Sequence, residues 1–123
     1  MGDAMVQQAA RDILAASAES RLEERKRVLM AGLVVQDGGG DTFGCTVLDM
    51  SASGARVRVP ADRAVPDDFH LVVVRDRRLH KARVMWRRQQ LAGVRYENTY
   101  TIDNDLPDDL RFIQKLWIQC ATR

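Results

Sequence analysis

The run Thr42-Phe43-Gly44-Cys45-Thr46-Val47-Leu48-Asp49-Met50-Ser51-Ala52-Ser53-Gly54-Ala55-Arg56-Val57-Arg58-Val59 decides how the rest of the chain is read. Its second half alternates Ala55, Val57 and Val59 with Arg56 and Arg58, the two-residue period of a strand with one buried and one wet face. Its first half, to Asp49, is rich in residues that suit a pleated surface. Between them stand Asp49, Ser51 and Gly54, residue types that favour turns for local reasons. The reading is a β-hairpin with a polar connection.

Working outward, the same texture repeats. Val28 to Gln36 forms a run closed by Asp37-Gly38-Gly39-Gly40-Asp41. Beyond Pro60 and a loop to Asp68 come Phe69 to Arg75, Leu79 to Arg87 and Leu91 to Glu97. The charged turns Asp76-Arg77-Arg78 and Arg88-Gln89-Gln90 join them. About six short strands in so short a chain are best stabilised by curling shut, because closure removes exposed sheet edges. The fold class expected is mainly β: a six-stranded antiparallel barrel over about residues 27–97.

Helices are expected at both ends. From Asp3 to about Glu24, Val6, Ala9, Ala10, Ile13, Leu14 and Ala18 fall near helical spacing. This stripe is largely alanine and gains little burial, so residues 1–20 form an extension that docks on the domain or on a partner. At the other end, residues 106–120 predict an amphipathic helix with Asp105 as N-cap and Pro107 in the first turn. Leu110, Ile113, Leu116, Trp117 and Cys120 share one face of it, and Asp108, Asp109 and Arg123 complement its dipole. Residues 21–123 thus make one domain.

Composition narrows the function. A chain of 123 residues with 46% apolar content suits a single modest core. It has no apolar run long enough for a membrane span, and Met1-Gly2-Asp3 lacks the basic start of a secretory signal. A cytoplasmic protein with no membrane insertion is expected. Cys45 and Cys120 form no CxxC pair, and with only His70 and His80 beside them neither a disulfide nor a metal site is expected. The two histidines show no spacing that suits a metal site or a nucleophilic triad, so structural or surface roles are expected for them.

The net charge of +2 identifies no partner, but its distribution is informative. Arginine far outnumbers lysine and gathers at positions 21–27 and 75–88. Its planar fork matches phosphates and guanine edges better than a point-charge ammonium does.

Arg21 and Arg25 stand four apart ahead of the first strand, in Arg21-Leu22-Glu23-Glu24-Arg25. On their own they read as a solvated helix face paired with Glu23 and Glu24, and Asp49, Ser51 and Gly54 read as a simple turn. Together, in this order around a hairpin, they resemble the PilZ family, whose members share an RxxxR motif before the barrel and a [D/N]xSxxG motif between early strands. Both motifs stand here without substitution. Arg83-Val84-Met85-Trp86-Arg87 through Leu91-Ala92-Gly93-Val94-Arg95-Tyr96 is similar to the family's closing hairpin, so the resemblance spans Arg21 to about Glu97. It implies a six-stranded barrel with a C-terminal helix that binds cyclic di-GMP, often as a stacked dimer, and signals without catalysis. The alanine-rich segment ahead of RxxxR lies outside the family's minimal domain.

The chemistry fits such a ligand. Cyclic di-GMP offers two phosphates and the O6 and N7 acceptors of guanine, all suited to bidentate arginine from Arg21 and Arg25. A guanidinium also stacks on a purine face. Guanine's N1–H and N2–H edge calls for a carboxylate, which Asp49 supplies; Ser51 offers a hydroxyl, and Gly54 permits positive φ or close approach. Trp86 shares the alternating face of Ala82 and Val84, so it is expected in the core with its ring edge bordering the ligand. The arm at 19–27 is expected to order on the ligand and pass the signal to a protein partner, with a homodimer through the helices as a further route.

Two other readings compete. One is a PilZ-like interaction module that binds no ligand. The other is a small basic barrel holding nucleic acid on Arg56, Arg58 and residues 75–88; it is disfavoured because that stretch lacks interleaved exposed aromatics.

Overall fold

The structure, a computed structural model, describes residues 25–36, 41–103 and 105–121. The expected helix over residues 1–20 and Arg21 lie outside the described residues. Six strands are present: β1 (Lys26–Val35), β2 (Thr42–Met50), β3 (Gly54–Arg58), β4 (Asp68–Val73), β5 (Arg78–Arg88) and β6 (Leu91–Thr101). Every neighbouring pair is antiparallel, in the order β1-β2-β3-β6-β5-β4, and β4 pairs back on β1 to close the barrel.

Alternation sorts the apolar residues into two clusters. Val34, Val47, Val57, Leu71, Ala82 and Val94, one from each strand in turn, fill the interior. Their chain neighbours Val35 and Val72, with Leu79, face the other way and meet Ile102, Leu106, Leu110 and Ile113. This part of the sheet is buried on both faces, which is why β4 is buried at every position from Phe69 to Val73, His70 included.

The outer cluster exists to seat α1 (Phe112–Ala121), whose Ile113 is fully buried. Trp117 Nε1 donates to the Val74 carbonyl at 2.7 Å, and the Arg77 guanidinium lies 4.8 Å from the Trp117 ring centre. The helix begins later than its periodicity suggests. Asp105 is not its N-cap: its backbone N–H bonds the Asp103 carboxylate, Pro107 stays extended, and Asp108–Leu110 makes a 3-10 turn. Likewise β6 runs past Glu97 to Thr101, because β5 remains alongside to pair with it.

Of four register shifts in the barrel, one of them between Lys81 and Ala82 in the β5–β6 pair, the other three bear on the site. β1 bulges between Arg27 and Met30, where Leu29 adopts a positive φ of 48° and is exposed. β2 bulges between Val47 and Asp49, and β5 between Val84 and Trp86.

Candidate functional site

The β2–β3 connection is tied at three points. Ser51 N–H donates to the Gly54 carbonyl at 2.9 Å, closing the turn. Tyr96 N–H donates to the Ser53 carbonyl at 2.7 Å, lashing the turn to β6. The Ser51 and Ser53 hydroxyls lie 3.4 Å apart. Gly54 is needed for close approach rather than for positive φ: a Cβ there would run into the Val94 carbonyl of β6.

Asp49 owes its facing to the β2 bulge. Val47 points inward, and in a regular strand Asp49 would share that face. The extra residue, Leu48, turns Asp49 outward to stand opposite Arg56, whose neighbours Ala55 and Val57 line the interior. The carboxylate is largely buried between two cations. Arg25 Nε lies 3.3 Å from Oδ1, and Arg56 Nε lies 2.9 Å from Oδ2. Neither approach makes an aligned hydrogen bond, so Asp49 Oδ1 and Arg56 Nε are buried without a hydrogen-bond partner among the described residues. Such groups retain bonding capacity.

Of the motif residues, the fold therefore brings Arg25, Asp49, Ser51 and Gly54 to one end of the β1–β2–β3 wall. Arg56 joins them from outside both motifs. Only its alternating position after Gly54 signals this, since an outward residue on β3 must face an outward residue on β2.

The register extends the site across the wall. Asp49 stands opposite Arg56, Arg56 opposite Gly93, and Gly93 opposite Trp86. Trp86 is not a core residue: the bulge at Met85 breaks its parity with Val84, and the side chain is 42% exposed. Its indole covers Gly93, where a Cβ would strike the ring. Arg95 and Arg83 flank it on one side and Arg88 on the other, with Arg83 held by Asp68 at 3.3 Å. The basic stretch thus does carry one exposed aromatic, contrary to the sequence expectation.

Arg87 behaves differently from its neighbours. It stands opposite Ala92 and turns to the 60–67 loop, donating to the Val65 carbonyl at 2.8 Å and pairing with Asp67 at 2.7 Å. Among the described residues, one surface hollow is bordered by Leu33, Thr46 and Cys120 and another by His70, Lys81 and Tyr100. Neither includes a motif residue. Burial pushes the Cys45 thiol up to about 12, which leaves it unreactive. Among the described residues no group of His, Cys, Asp and Glu could hold a metal ion.

A closed six-stranded antiparallel barrel with an arginine–carboxylate cluster beside its β2–β3 turn places the chain among small β-barrel domains. The PilZ domain family matches residues 19–111, a stretch that contains both motifs, and the chain belongs to that family. No curated protein matches the chain.

Proposed function

We propose that this protein is a receptor for cyclic di-GMP that passes the signal to a protein partner and catalyses no reaction. The observation that carries the reading is the meeting of Arg25 and Asp49, one residue from each motif, at 3.3 Å on the outer wall. Membership of the PilZ family supports the same ligand.

In this reading Arg21 and Arg25 take the ligand's phosphates and the guanine O6 and N7 acceptors. Asp49 accepts from the guanine N1–H and N2–H edge, and Ser51 adds a hydroxyl. Gly54 keeps β3 close to β6 beneath them. Trp86 borders the ligand with an exposed ring that suits a purine face, and the nearby arginines complement the phosphates. No metal or other cofactor takes part. A cytoplasmic location follows from the ligand, and no described helix is long and apolar enough to cross a membrane.

Calorimetry tests the reading. The wild-type chain should bind cyclic di-GMP with a Kd of about 1 μM or tighter, roughly −8 kcal/mol. Arg21→Ala, Arg25→Ala and Asp49→Ala each remove a charge-assisted contact and should weaken binding about tenfold or more. Wild-type affinity in all three would overturn the assignment. No binding by the wild type would leave a domain that works through protein contacts alone.

A further inference from the structure

Asp49 is held unequally by its two arginines. Arg56 makes the shorter contact, 2.9 Å against 3.3 Å, and its side chain is less exposed than that of Arg25, 36% against 48%. Arg56 and Asp49 also stand directly opposite each other in the β2–β3 register, so the ladder pins both backbones. Arg25 lies one residue before β1 begins. One cation stands on a backbone that the ladder holds opposite the carboxylate; the other stands just outside the ladder.

That asymmetry bears on how the cluster can take a ligand. A largely buried carboxylate that loses its only cation carries a severe desolvation penalty. With Arg56 on Oδ2, Arg25 can withdraw from Oδ1 and leave Asp49 still paired. A carboxylate has about four lone-pair sites, and because Arg56 contributes its charge without an aligned hydrogen bond, both oxygens then keep acceptor capacity for two donors in a row.

We infer that Arg56 is a positioning residue that sets guanine specificity: it retains Asp49 Oδ2 while Arg25 exchanges Oδ1 for an acceptor on the ligand, freeing the carboxylate for the guanine N1–H and N2–H edge. This rests on the receptor reading above and gives it an order of events. Arg25 is the arginine that changes partner, and Arg56 is the one that stays. Without Arg56, Asp49 keeps Arg25 for itself, and both the phosphate contact and the guanine contact suffer.

The test compares two ligands on three proteins. Cyclic di-IMP carries hypoxanthine, which keeps N1–H, O6 and N7 and lacks only the N2 amino group. Wild type should prefer cyclic di-GMP. Arg56→Gln should lower cyclic di-GMP affinity about tenfold or more and lose most of that preference, whereas Arg56→Lys, which keeps the charge without the fork, should recover part of both. An equal loss for the two ligands, or no loss, overturns the inference, because a plain phosphate contact or a structural role would leave the preference unchanged.

A second measurement needs no ligand. Nitrogen relaxation at the arginine Nε–H groups of the protein alone should find Arg56 rigid and Arg25 mobile, with Arg56 loosened in Asp49→Asn. Equal rigidity of the two arginines overturns the exchange. Failure of wild type to bind either ligand would sink the receptor reading, and the relaxation data would then still decide whether Asp49 is held by one arginine or by two.

Discussion

The barrel has two walls built on different rules. Where Val35, Val72 and Leu79 back onto α1, the sheet is apolar on both faces and its outer side is spent on seating a helix. Across β2, β3, β6 and β5 the inner face is just as apolar, but the outer one carries Asp49, Arg56, Gly93 and Trp86 in a row. The helix-backed wall is a structural support. The other wall carries the surface proposed to meet the ligand, and its polar groups are tolerated because cations stand beside the carboxylate and glycine lies beneath the ring.

If this division holds, damage to one wall should leave the other's property largely intact. The largest effect expected is on stability from the helix-backed wall. Ile113 is fully buried against β-strand residues, so Ile113→Ala should cost about 2–5 kcal/mol in urea unfolding. Cyclic di-GMP affinity measured well below the new midpoint should stay within about twofold of wild type. A large loss of affinity in a folded Ile113→Ala protein would show that the walls are coupled.

A smaller effect comes from His80, on β5 beside Leu79. Its ring stacks on Tyr96 with centroids 3.8 Å apart, and Nδ1 lies 2.8 Å from the Thr99 hydroxyl. Burial, reinforced by the Arg78 charge, holds the imidazole at about 4 instead of 6.5. Burial also raises the Tyr96 phenol, with Asp76 adding to the shift. Because the folded-state value of His80 is depressed, the unfolded chain takes up the proton first. Stability from this group is present above pH 6.5 and is lost as pH falls toward 4, at up to about 1.4 kcal/mol per pH unit. Urea midpoints across that window should fall more steeply for wild type than for His80→Gln. Identical slopes would remove His80 from the account.

The smallest effect belongs to the polar wall. Gly93→Ala places a methyl where the Trp86 indole lies, so the ring must move outward. Tryptophan emission should shift to the red, and cyclic di-GMP affinity should change about threefold, near 0.6 kcal/mol, with the fold intact. An unchanged emission spectrum would mean that the ring does not rest on Gly93.

Much of the barrel was legible because strands with one or two buried faces leave a plain periodicity, and β3 is the clearest instance. The turn at Ser51 to Gly54 was equally legible, since its residue types suit both a turn and a site. Facing was not legible where a bulge intervened. Asp49 and Trp86 each stand two residues from an inward valine, and alternation alone sends both indoors. One unpaired residue reverses that without altering composition or spacing, which is why Trp86 was expected in the core. Arg56 was hidden for another reason: its partner is a neighbour across strands, not along the chain. The start of α1 was misjudged because Pro107 suits the first turn of an α-helix and the extended entry to a 3-10 turn alike.

The bulges at Leu48 and Met85 have a consequence for how such a surface can change over evolutionary time. Inside or outside is set there by counting residues, so deleting one residue would redirect a carboxylate or an indole more completely than any exchange of side chains. A lineage could therefore change which groups this wall presents by a change in chain length alone, with every residue of both motifs still in place.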